Sequence, residues 1–293
     1  MNRFTRPLAR LTFVSPAVIS SRSFATASAT VAKHRWPSAA RVGAWAVLGL
    51  GFGSAYYAWQ TQHSVVLSEA ATAYAGTVED PETKLAFPIN LQTGSEWKRL
   101  IGLGARQVSF MNLNVYVLGL YMRGEDIGAL RQVEGWKDFD KREFLGDEKL
   151  ALALLHQPMD VSIRIVPVRA TNTQHLRDGF TRALLQRMRE QNADWTEDQE
   201  MDVIKGIQEF KTIFINAKVK SNTEFVFTKT REGGLKMEFE GKDLGTVNNK
   251  WVAINFFMGY LNPKAPASEL ARQDIAKGFE KLMVSENEDK EKK

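Results

Sequence analysis

The sequence predicts an α+β fold, an antiparallel sheet covered on one face by helices. Two observations carry this reading. Short runs rich in β-branched and aromatic residues sit at both ends of the stretch from Leu85 to Val284. Apolar stripes at helical spacing lie between and after those runs, and no internal repeat interrupts the pattern.

Taken in order, Arg106–Met111 and Leu113–Met122 read as two strands joined tightly at Asn112. Residues 132–148 (QVEGWKDFDKREFLGDE) read as a charged surface excursion, with Trp136, Phe139 and Phe144 free to fold back over a cleft. Met159–Val168 alternates apolar and polar residues, the mark of a strand with one buried face. Thr173–Gln191 places Leu176, Phe180, Ala183, Leu184 and Met188 on one helical stripe. Thr196 and Gln199 have capping-box spacing, so a helix starts there and buries Val203, Ile204, Ile207 and Phe210. Asn222–Thr230 and Gly234–Glu240 flank Arg231-Glu232-Gly233 as a hairpin. Asn249–Leu261 is apolar nearly throughout and predicts a core helix, and Ala267–Val284 an amphipathic one that ends the fold. Residues 60–84 read as a polar linker and 285–293 as a charged tail.

The formal charge of +5 is unevenly placed. Before Glu69 the chain carries seven basic residues and no acid; removing these seven from 39 leaves 32 Lys and Arg against 34 Asp and Glu. The basic balance therefore belongs to the N-terminal segment, and a nucleic-acid footprint on the domain is not expected. The absence of cysteine excludes disulfides, thiolate metal sites, a cysteine nucleophile and covalent haem attachment.

Residues 1–35, rich in Arg, Ser and Ala, have the composition of a mitochondrial presequence, and Arg22-Ser23-Phe24-Ala25 suits cleavage after Phe24. Val42–Trp59 holds eighteen uncharged residues, enough for a membrane anchor, with Tyr56, Tyr57 and Trp59 at the interface end. Gly49 and Gly53 form a small-xxx-small pair through which two anchors would pack as a dimer. Lys33, Arg35 and Arg41 before the span favour a single-pass inner-membrane topology with the domain in the intermembrane space.

Few motifs carry chemistry. Gly102-x-Gly104 lacks the third glycine and the helix of a dinucleotide loop, and no Walker or HExxH motif occurs. The acidic pair Glu197-Asp198 falls in a helix first turn, where the macrodipole accounts for it.

Residues 102–122, GLGARQVSFMNLNVYVLGLYM, combine a glycine-containing turn, an arginine and two strands ending in Leu118-Gly119-Leu120-Tyr121. With VRATNTQHLRDGF (168–180), GTVNNKWVAINFFMGYL (245–261) and a last helix after Pro266-Ala267-Ser268, this resembles the chalcone isomerase family, specifically its fungal mitochondrial branch, the altered inheritance of mitochondria proteins. The resemblance spans roughly residues 85–284 and implies an open-faced β-sandwich with a ligand cleft between sheet and helices. It implies that Arg106 occupies the position of the arginine that holds the substrate oxyanion, which suits a guanidinium's fixed charge and directed donors. From spacing alone, Arg106 would read as a surface strand-end arginine. Tyr116 stands where the enzymes have a threonine; their tyrosine and asparagine fall at Asn172 or Thr173 and at Gly179. Flavanone-forming activity is therefore not expected; any retained catalysis would rest on Arg106 and Tyr116.

The resemblance also implies ligands that join an apolar body to carboxylates: fatty acids, or haem b in the fungal branch. Arg106 would pair with such a carboxylate. Of the domain's two histidines, His175 opens the helix whose residues face the cleft in this family and is the candidate axial iron ligand, against the alternative of a helix-start surface histidine. His156 reads as a loop residue, and Met111 and Met122 as core. Three readings follow: a noncatalytic ligand-binding domain, foremost a b-type haemoprotein; an isomerase acting on an unknown enone; and a scaffold working through its anchor or the 132–148 excursion.

Overall fold

The computed structural model describes residues 76–108 and 113–291, with side chains up to Met283. The leader, the anchor span with Gly49 and Gly53, most of the linker, and Met111 lie outside the described residues. Among the described residues no helix is long and apolar enough to cross a membrane.

Strands β1 (Thr77–Glu79) and β2 (Ala86–Pro88) form a small antiparallel pair, so regular structure begins upstream of Leu85. The main sheet then draws on β3 (Asn90–Thr93), β4 (Glu96–Val108) and β5 (Leu113–Met122). Three helices follow: α1 (Gly124–Leu130), α2 (Lys141–Gly146) and α3 (Lys149–His156). Next come β6 (Val161–Pro167), the short β7 (Thr171–Asn172) and α4 (Thr173–Gln191). After them run α5 (Glu197–Ile213), β8 (Lys218–Val219), β9 (Phe225–Lys229), β10 (Leu235–Phe239) and β11 (Lys242–Val247). The helices α6 (Lys250–Leu261) and α7 (Glu269–Glu291) complete the fold.

Seven strands in the order β11-β10-β9-β6-β5-β4-β3 make one antiparallel sheet. Strand alternation gives it two faces. On one, Leu118, Leu120, Ile163, Ile165, Phe225 and Phe227 meet the helices. Phe180 of α4, Phe210 of α5 and Phe256 of α6 pack their rings 4.5–6.4 Å from Phe227. Each such ring buried contributes roughly 1.5–3 kcal/mol, so this wall of phenylalanines is a main source of the domain's stability. The other face holds a smaller cluster around Phe87, Val117 and Tyr121. The described residues form one compact unit, and the buried apolar side chains among them run from Phe87 to Met283.

The α+β architecture agrees with the sequence reading, and the differences have local causes. β4 starts ten residues before Arg106, because Gly102 and Gly104 lie within the strand and not in a turn. A Cβ on Gly102 would sit 2.5 Å from the Ile275 nitrogen, and one on Gly104 2.4 Å from the Ala271 nitrogen. The glycines let α7 cross directly against β4. Gly278 completes the crossing from the helix side, where a Cβ would lie 1.7 Å from the Ile101 carbonyl oxygen.

The 132–148 stretch keeps its charges at the surface, but its rings fold inward. Trp136 and Phe144 are fully buried, and Trp136 stacks on Phe139 at 5.1 Å and meets Phe279 of α7 edge-on at 4.8 Å. Its indole N–H donates to the Leu150 carbonyl at 3.0 Å. These rings close the core under α7 and not over a cleft. The strand β11, unforeseen in the sequence, extends the hairpin, and the backbone of α7 continues to Glu291, into the stretch read as a tail.

Candidate functional site

Arg106 and Tyr116 sit opposite one another on β4 and β5, just before a β-bulge at Gln107. Both side chains lie on the sheet face that meets the helices. The Arg106 Nη1 donates to the Tyr116 hydroxyl at 3.0 Å, and its guanidinium carbon lies 5.5 Å from that ring's centroid. The Tyr116 hydroxyl is in turn 3.2 Å from the hydroxyl of Tyr260, which projects from the last turn of α6. Both tyrosines are buried and Arg106 is half-buried.

This places one permanent cation at the head of a chain of two phenols. The Tyr116 oxygen, against the opposing effect of burial, holds the Arg106 guanidinium above its ordinary value. Burial, followed by the neighbouring Tyr116, pushes the Tyr260 phenol well above the usual range. The set is therefore a guanidinium donating to one phenolic hydroxyl, which a second hydroxyl backs. Among the described residues no carboxylate pairs with Arg106.

Arg106 opens onto a cavity of about 900 Å³ whose other walls include Ala183, Gln186 and Arg187 of α4 and the segment from Asn262 to Ala267. A small recess of about 30 Å³ continues from it, lined by Phe180, Leu184, Phe256 and Tyr260, with Asn255 on its wall. Arg187 is buried in the cavity wall, donates to the Asn255 Oδ1 at 2.8 Å and pairs with Glu148 at 3.5 Å. The segment between α6 and α7 is pinned over the site by two hydrogen bonds. Ala267 N–H donates to Gly259 O at 2.7 Å, and the Ser268 hydroxyl donates to Ala105 O at 2.6 Å. The wide part of the cleft presents polar and apolar surface in about equal measure, and its narrow end is mainly apolar.

The structure brings Arg106 and Tyr116 together and leaves His175 apart. His175 is exposed in the first turn of α4, with its backbone N–H capped by Asn172 Oδ1 at 2.8 Å, and it lines neither the cavity nor the recess. His156 is exposed at the end of α3, a helix terminus where a loop was expected, and Met122 is core. Among the described residues no histidine or methionine lines the cleft, so its lining does not include His175, the candidate iron ligand.

The other positions compared with the enzymes are occupied by structural duties. Asn172 caps α4, and the buried Thr173 hydroxyl donates to Ile215 O at 2.5 Å. Gly179 lines the recess without a side chain. Tyr260 is the residue that sequence reasoning missed. Its helix is apolar nearly all round, so periodicity could not single out one tyrosine; only the order Gly259-Tyr260-Leu261 hinted at a special position.

Comparison with known proteins follows this geometry. The family model described as chalcone isomerase like matches residues 96–276. The mitochondrial protein named altered inheritance of mitochondria protein 18 of Debaryomyces hansenii is 27% identical over 201 residues, covering 62% of this chain and 66% of that protein. Its namesake from Lachancea thermotolerans is 24% identical over 249 residues, covering 76% and 77%. A crystal structure of a fatty-acid binding protein from Arabidopsis thaliana superposes with a TM-score of 0.58 at 21% identity, covering 71% of this chain and 99% of that one, a likeness of fold. The chain belongs to the chalcone isomerase-like family.

Proposed function

We propose that this is a mitochondrial, noncatalytic ligand-binding protein that holds the carboxylate of a largely apolar molecule at Arg106. The single observation behind this reading is the Arg106–Tyr116–Tyr260 chain: a half-buried guanidinium that faces a cavity, is held by two linked hydroxyls, and is paired with no carboxylate among the described residues. A ligand carboxylate there gains charge-assisted hydrogen bonds. A cavity of about 900 Å³ admits a ligand of fatty-acid or haem size. The apolar recess is too small for a long chain as it stands, so the ligand's tail lies in the wider cleft or displaces the Phe180 and Phe256 rings. Haem enters this reading as one more apolar carboxylate, through a propionate on Arg106; no role is assigned to its iron.

Mitochondrial residence is supported by the acid-free basic leader and by relatives named as mitochondrial. The inner-membrane anchor at 42–59 and the intermembrane-space orientation are part of the same proposal.

The ordered hydroxyls beside Arg106 favour a second reading, an isomerase that protonates or holds an enolate. Against it, Asn172, Thr173 and Gly179 present no group to the cleft. Titrating residues 63–293 with lauric acid and with haem, and assaying chalcone ring closure, separates the readings. Saturable binding without closure above the spontaneous rate supports the proposal. Turnover that disappears in Arg106→Ala establishes the isomerase instead. No saturable binding of either probe refutes the ligand-binding reading.

A further inference from the structure

A second surface of the domain, away from the Arg106 cleft, combines cations, an aromatic ring and the point where the chain enters the fold. Because Gly102, Gly104 and Gly278 let α7 lie directly on β4, the helix brings Lys277 and Lys281 beside Arg99. The three line a shallow groove of about 210 Å³ between strand and helix, and all three are exposed. The groove's one carboxylate, Asp274, is engaged by the Leu103 backbone N–H at 3.0 Å. The neighbouring Glu96 and Glu280 are paired with Arg123 and Lys141. Among the described residues no carboxylate neutralises Arg99, Lys277 or Lys281.

Trp97 lies two residues before Arg99 on the same face of β4 and is 41% exposed. Ile89, 37% exposed, is next to this edge. Its N–H donates to Gly76 O at 2.8 Å, and its carbonyl accepts from Leu100 N–H at 2.8 Å. The first described residue is therefore two hydrogen bonds from the groove. Sixteen residues separate Gly76 from the uncharged span ending at Trp59. A stretch of that length reaches at most about 55 Å even when fully extended.

We infer that this edge docks on an anionic lipid bilayer. Clustered cations gain from the negative surface potential of anionic lipids, and exposed tryptophan and isoleucine favour the headgroup boundary. Nucleic acid is a poorer match, since the chain from Glu69 onward carries 32 basic against 34 acidic residues and the cations form one small patch. Docking here would hold the Arg106 cleft close to a source of apolar carboxylates, although the inference stands on the groove and not on that cleft.

The test uses residues 63–293, which contain every buried side chain among the described residues and exclude the span at 42–59. Cosedimentation is compared for phosphatidylcholine vesicles and for the same vesicles with phosphatidylglycerol. Binding is expected only to the anionic vesicles. Replacing Arg99, Lys277 and Lys281 together by glutamine should weaken it about a hundredfold, at roughly fivefold per cation. Since the chain has no cysteine, Gln92→Cys carries a single fluorescent label beside Trp97, and its emission should shift to the blue only on anionic vesicles. Circular dichroism checks that the triple variant is folded. Equal binding to neutral vesicles, unchanged binding of the folded triple variant, or a label that does not respond would each overturn the inference.

Discussion

Arg106 and Tyr116 are linked twice, once through the β4–β5 ladder as directly opposed residues and again through the 3.0 Å hydrogen bond between their side chains. The strand pairing fixes where the guanidinium stands, and the phenol fixes where it points. Preorganisation of this kind spares a ligand the cost of ordering its partner.

Arg106→Ala should therefore reduce affinity for a carboxylate ligand by about tenfold to a hundredfold, corresponding to roughly 1.5–3 kcal/mol for a charge-assisted hydrogen bond. Isothermal titration with lauric acid reads the effect. An ester of the same acid should bind the wild type as weakly as the acid binds the variant. Equal affinity for acid and ester would disprove carboxylate recognition.

Tyr260→Phe removes the far hydroxyl of the chain and leaves Tyr116 without its buried partner. About 1 kcal/mol of stability should be lost, read as a fall in the urea midpoint with unchanged slope. Ligand affinity should fall less than for Arg106→Ala, because Tyr260 acts on the ligand through Tyr116.

Two glycine substitutions should move stability in opposite directions. Gly278→Ala drives a methyl group into the Ile101 carbonyl and should cost at least about 1–3 kcal/mol, the range for overpacking. Gly128→Ala, in α1 with nothing within 4 Å of the added carbon, should stabilise by roughly 0.5–1 kcal/mol. Thermal denaturation of the pair tests the close crossing of α7 over β4.

Stability should rise between pH 7.5 and 9.5. Burial pushes the Lys229 ammonium down to about 8 from its ordinary 10.5, so in that window the unfolded chain binds more protons than the folded one. The penalty of burying the charge is fully felt below the folded value and is relieved as pH climbs toward the unfolded one. Burial also lowers Lys98, which adds to the rise with the same sign. Urea midpoints across the window should increase, and Lys229→Met should flatten the rise.

Elements with a clear period were legible in the sequence. The capping box at Thr196 and Gln199 is present, with the Gln199 N–H 3.3 Å from the Thr196 hydroxyl. The hairpin at Arg231-Glu232-Gly233 is present too, with Gly233 at φ 91°. What stayed hidden depended on tertiary contact. Gly102 and Gly104 look like turn residues until α7 is placed upon them, and Trp136 and Phe144 sit in a charged stretch whose rings are drawn into the core by Phe279. At the site, Arg106 and Tyr116 were visible through strand position. The role of Tyr260 depends on a helix arriving from 144 residues away, and local sequence cannot reveal which face of an all-apolar helix meets the sheet.

The crossing of α7 over β4 also dictates an order of events. The Leu103 backbone and the Asp274 side chain that bonds it are 171 residues apart. A chain emerging N-terminus first delivers β4 early and the helix that covers it only after every strand of the sheet. Until then the middle of the sheet lacks its lid, and the non-local closure that locks the fold cannot take place. All the strands of the sheet are thus in place along the chain before its covering helix can lock them. Removing α7 from Glu269 onward should leave a product that never acquires its final form.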